Sequence, residues 1–147
     1  MDELKQLADE LACAQEAAKE LDTLDDQLSD LIPEYEEALK KLRLGVSLSV
    51  TIDGGEGWSR QLSFDKYSGA WRLLLEEGPD DGDPELWTTT PLASASRDER
   101  AMVFAWHMAK LLGSATRQIN DKIQSRKDTL KLAQERLAAI RNLGVKP

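Results

Sequence analysis

His107 is the only histidine and Cys13 the only cysteine in a chain of 147 residues, and that scarcity bounds the chemistry available. Zinc sites take three or four ligands, drawn mainly from cysteine and histidine, so a structural zinc is not expected. A nucleophilic system of the Ser/His/Asp or Cys/His kind would have to use His107. That residue lies between Trp106 and Met108 in an apolar stretch, and no nucleophile-elbow motif occurs in the chain. His107 is therefore expected to be a packed, structural histidine. Cys13, beside alanines, is expected to be a small packing residue.

Two further clusters invite a chemical reading. Asp80, Asp81, Asp83 and Glu85 gather four carboxylates that could hold calcium, but they lack the twelve-residue EF-hand order and its terminal bidentate glutamate. The Asp-Gly pair among them points to a solvated turn. Gly54, Gly55 and Gly57 follow a strand pattern but open no helix, and the lysine of a phosphate loop is missing. No catalytic, cofactor-binding or metal-ligating residue is assigned, no cofactor is expected, and the chain is expected not to be an enzyme. An enzyme pairing His107 with a carboxylate is the remotest alternative.

The net charge of −8 is unevenly spread. Residues 1–44 carry thirteen acids and five bases, residues 45–90 nine acids and three bases, and residues 91–147 five acids and eleven bases. The basic residues Arg117, Lys122, Arg126, Lys127, Lys131, Arg136 and Arg141 could follow a nucleic-acid backbone. No aromatic residue is interleaved among them and several are expected to face the acidic first segment, so nucleic acid is not the expected partner. Conversely, Asp22, Asp25, Asp26, Asp30, Glu34, Glu36 and Glu37 could imitate a row of phosphates.

The elements that carry these residues are legible from periodicity. From Arg97 to Leu143, the positions Met102, Ala105, Ala109, Leu112, Thr116, Ile119, Ile123, Arg126, Leu130, Ala133, Leu137 and Ile140 step by three and four without a slip. Such a 3.5-residue seam keeps one helix face against a partner helix. Ser96 and Glu99 stand in capping-box spacing at its start, and Gly144 in the place of a left-handed cap at its end. Between Met102 and Leu112 nearly every side is apolar, which predicts burial all round. Gly113 could instead be a break, with Ser114 capping a separate helix, but the unbroken seam argues against it.

Residues 1–44 carry a second seam: Leu4, Leu7, Leu11, Ala14, Ala18, Leu21, Leu24, Leu28, Leu31, Tyr35, Ala38 and Leu42, with one fault at Leu21–Leu24–Leu28. The seam keeps phase across Pro33, which favours a kinked continuous helix over a break near Ile32 with Pro33 opening a second helix. After Gly45 the period becomes 2: Val46–Ile52, Trp58–Phe64 and Trp71–Leu75 read as strands, Leu86–Thr90 as a weak fourth. Asp53-Gly54-Gly55 and Asp65–Gly69 read as the connections.

The expectation is a single α+β domain over residues 1–147. Two long seam-bearing helices, 1–44 and 97–143, form an antiparallel helical hairpin or coiled coil flanking a three- or four-stranded antiparallel β-meander, residues 45–90. Helix, meander, helix in that order resembles the layout of prefoldin-type chaperone subunits, a likeness of element order. No apolar run is long enough to span a bilayer, and no secretory signal pattern opens the chain. With one cysteine, a cytoplasmic setting is expected. The expected function is a non-catalytic protein–protein interaction protein (a scaffold, adaptor or assembly subunit), bound to another protein or to further copies of itself through the seams. The alternative is a small acidic inhibitor, such as an immunity protein or a phage-type antagonist of a nucleic-acid-binding enzyme.

Overall fold

The computed structural model describes residues 2–144. The element order is helix α1 (Asp2–Lys41), strands β1 (Leu48–Gly55), β2 (Trp58–Tyr67), β3 (Ala70–Pro79) and β4 (Thr88–Pro91), then helices α2 (Arg97–Met102) and α3 (Met108–Asn142). Two 3-10 turns, Pro84–Leu86 and Leu92–Ser94, flank β4, and a π-helical turn, Val103–His107, joins α2 to α3. The helix expected from Met1 is seen from Asp2, Met1 lying outside the described residues. The fold is α+β, with long helices flanking one four-stranded antiparallel sheet of order β1-β2-β3-β4.

Alternation along the strands builds the core. Leu48 and Val50 on β1, Leu62 and Phe64 on β2, and Leu73 and Leu75 on β3 stand opposite one another on one face of the sheet. Against it pack Ile32, Tyr35 and Leu39 of α1, then Val103, Met108, Leu111 and Ala115 of the second helical unit. The other face carries Ser49, Thr51, Gln61 and Ser63, as the alternation implies. Here Glu76 accepts hydrogen bonds from Gln61 Nε2 at 2.9 Å and Ser63 Oγ at 2.6 Å.

Several expected boundaries move. Asp53-Gly54-Gly55 belongs to β1, not to the turn, because a bulge at Ile52 shifts the register between Thr51 and Asp53. β2 runs on to Tyr67 and turns at Ser68-Gly69, both with positive φ (50° and 83°), the conformation that matches strand twist in two-residue hairpins. As the unbroken phase of the two seams favours, α1 is one helix through Pro33 and α3 is one helix through Gly113. The irregularity falls instead on the π turn. Its one additional residue rotates α3 by about 100° relative to an uninterrupted α-helix.

The antiparallel hairpin between the long helices is not formed within the chain. Asp22 of α1 pairs with Arg97 at the start of α2. The Tyr35 ring lies 5.4 Å from that of Phe104. Leu44, just past α1, accepts a hydrogen bond through its carbonyl from Lys122 of α3. These contacts come in the same order along both helices, so the helices run in the same direction. The reason lies in the sheet. The connection after α1 lies beside Phe64 and Trp71, whereas α2 starts where Glu99 meets Arg60, at the other end of β2. A hairpin would need the second helix to begin where the first one stops.

Candidate functional site

The capping box forms as its spacing predicts: Ser96 Oγ accepts from the Glu99 amide at 3.2 Å, and Glu99 Oε1 accepts from the Ser96 amide at 3.3 Å. The other Glu99 oxygen accepts from Arg60 Nη1 at 3.2 Å. Arg60 also grips Asp53 with two nitrogens, at 3.1 and 3.2 Å. The Ile52 bulge is what turns Asp53 to the face that Arg60 occupies. One guanidinium thus ties β1, β2 and α2 together in a bidentate and a single charge-assisted bond. Sequence reasoning passed over this residue. Its one signal was an arginine in phase with Leu62 and Phe64, on the apolar side of a strand.

Glu36, which the sequence places in the row of carboxylates that could imitate phosphates, is instead a second positioning residue. β4 pairs with β3 only from Leu74 to Glu77, which leaves the Leu73 amide beyond the reach of that strand. Glu36 Oε2 accepts from it at 2.8 Å, fastening α1 to the sheet where the ladder ends.

His107 is buried, 8% exposed, in the π turn, and its Nδ1 has no hydrogen-bond partner among the described residues. Its pKa is lowered, first by burial, then by the charges of Lys110 and Arg60; Asp53 acts in the opposite sense. Cys13, expected to be packed, is exposed, in the part of α1 that lies before the Asp22–Arg97 contact. The two residues are not brought together. The acidic loop is folded into the sheet end: Ser59 donates to Asp80, the Asp80 amide donates to Gly57 O at 2.9 Å, and Asp83 caps the 3-10 turn through the Glu85 amide at 3.1 Å. Among the described residues, no group of three or more His, Cys, Asp or Glu is placed to hold a metal ion.

What the surface does offer is apolar helix. Leu4, Leu7, Leu11, Leu21 and Leu24 of the α1 seam are between 50% and 66% exposed. Ile123, Leu130, Leu137 and Ile140 of the α3 seam are between 37% and 58% exposed. The core takes a neighbouring stripe of the second unit, Val103, His107, Met108, Leu111 and Ala115. This leaves Ala105, Ala109, Leu112 and Thr116 of the seam exposed. The expected burial of residues 102–112 on every side is therefore one-sided, and Trp106 is 71% exposed.

Because the helices run in parallel, their free ends lie at opposite ends of the molecule. Residues 2–21 of α1 precede the Asp22 contact, and residues 123–142 of α3 come after the Lys122 contact. The first arm carries six acids and two bases, the second five bases and two acids, so the expected facing of acid and base within the chain is confined to the body. At the root of the α3 arm, Leu42, Leu44, Ile119, Ile123 and Leu130, with Lys122, Arg126 and Lys127, line an open groove of about 480 Å³. Among the described residues, no helix is long and apolar enough to cross a membrane. Comparison with protein families, with characterised proteins and with solved structures gives no match to this chain.

Proposed function

We infer that this protein is a non-catalytic protein–protein interaction protein, an assembly subunit or scaffold that binds through its helical seams. One observation carries the reading: two regular apolar seams, each about 30 Å long at 1.5 Å per residue, stand in solvent while a different helical stripe fills the core. Scattered exposed leucines are ordinary, but a periodic row of them is the surface of a helix that lacks its partner. Leaving such rows bare costs about 25 cal/mol for each Å² of apolar surface, a cost that association removes.

The test is a triple variant, Leu7→Glu, Leu11→Glu and Leu130→Glu. These side chains are exposed, so far-UV circular dichroism and the thermal midpoint of the monomer are expected to match wild type. Wild type purified under native conditions is expected in a stoichiometric complex of defined mass, which the variant lacks. An unchanged complex in the variant would remove the seams as the binding surface.

A second reading, an acidic inhibitor, draws on the α1 arm, whose carboxylates are not neutralised by the chain's own basic arm. It requires a basic enzyme as partner and an affinity that collapses as salt shortens the Debye length from about 30 Å at 0.01 M to about 8 Å at 0.15 M.

A further inference from the structure

We propose that the partner of both arms is a second copy of this chain, held in a closed two-fold dimer in which each α1 arm lies antiparallel on the α3 arm of the other copy. The proposal deepens the interaction reading and rests on it. Two features of the arms support it. Their charges are opposite, net −4 over residues 2–21 and net +3 over residues 123–142. Their seams are mirror-matched: Leu4, Leu7, Leu11, Ala14, Ala18 and Leu21 step 3-4-3-4-3, and so do Ile123, Arg126, Leu130, Ala133, Leu137 and Ile140.

Laid antiparallel, the two series pair in order from Leu4 with Ile140 to Leu21 with Ile123. Leu11 then meets Ala133 and Ala14 meets Leu130, a large side chain against a small one in each layer. Flanking the seam, Glu10 and Arg136 fall between the same two layers, where opposite charge favours the pairing and its direction. Ala18 faces Arg126, so the one basic residue in the α3 seam meets a small partner.

Closure is a consequence of the direction of the helices. Within one copy the acidic arm leaves at one end and the basic arm at the other. A two-fold axis across the middle of the molecule reverses the second copy. Its basic arm then lies beside the acidic arm of the first, and its acidic arm beside the basic arm of the first. The seams of both arms are covered by one operation and neither arm is left free. A copy displaced by translation instead would pair the arms in parallel and leave one arm free at each end, giving an open filament.

The test uses the full chain with Cys13→Ser, to remove the native thiol, and two derivatives of it, one with Glu10→Cys and one with Arg136→Cys. Light scattering is expected to give twice the 16.4 kDa chain mass, without growth as concentration rises. Mixed and oxidised, the two derivatives are expected to form a disulfide between chains, and each derivative alone is not. Leu130→Glu is expected to weaken the dimer at least tenfold while leaving the monomer's circular dichroism unchanged. Cross-linking of one derivative with itself, or mass that keeps rising with concentration, would overturn the arrangement. A monomer at every concentration would overturn the dimer. The interaction reading would survive that result if a seam-dependent complex with another protein persisted, and would fall with it if no seam-dependent complex existed.

Discussion

Taking away the Arg60 guanidinium would leave Asp53 and Glu99 without their shared counter-charge at the edge of the core. The Arg60 side chain is only 20% exposed, while its partners are 54% and 37% exposed, so water would relieve part of the loss. Arg60→Ala is expected to cost about 2 kcal/mol in chemical denaturation, less than the roughly 3–5 kcal/mol of a fully buried pair that is broken. His107 makes a separate prediction. Its folded pKa lies below the ordinary value near 6.5, so below that pH the unfolded chain takes up a proton that the folded chain resists. Stability is then complete above about pH 6.5 and falls as pH drops through the window beneath it. His107→Gln is expected to flatten the dependence of the thermal midpoint on pH below about 6.5 relative to wild type. A slope unchanged by the substitution would place the titration elsewhere.

At the scale of elements, the ends of the helices are held by local chemistry and their middles by the sheet. Ser96→Ala removes one half of the capping box and is expected to lower stability by about 1 kcal/mol. Ile32, fully buried one residue before Pro33, belongs to the contact that holds α1 on the sheet; Ile32→Ala is expected to cost about 3 kcal/mol. Leu11→Ala, a similar truncation on the exposed arm of the same helix, is expected to leave the stability of the monomer within about 0.5 kcal/mol of wild type. The contrast between these two positions, read by denaturant midpoints at low protein concentration, separates the packed third of α1 from its free part. Pro33 sits within that packed third. The missing hydrogen bond of a helical proline costs about 3 kcal/mol, and the neighbouring Ile32, Tyr35 and Leu39 contacts are what offset it.

For the whole molecule, arms leaving at opposite ends predict an extended particle. A compact 147-residue globule would have a radius of gyration of about 15 Å; small-angle X-ray scattering is expected to give a clearly larger value for monomer and dimer alike. The strands, the Ser/Thr/Gln side of the sheet, the capping box and the two seams were legible in the sequence because each depends on neighbours two, three or four residues apart. Two things were not. Residues 102–112 are apolar on nearly every side, so periodicity alone could not tell the stripe that packs on the sheet from the stripe that stays outside. Nor could local pattern set the direction of α3 against α1. That was decided by the sheet, which receives α1 at its Phe64 end and starts α2 at its Arg60 end. Opposite charge on two helices favours proximity in any chain pairing. Only this attachment at opposite ends keeps the arms of one chain from reaching each other.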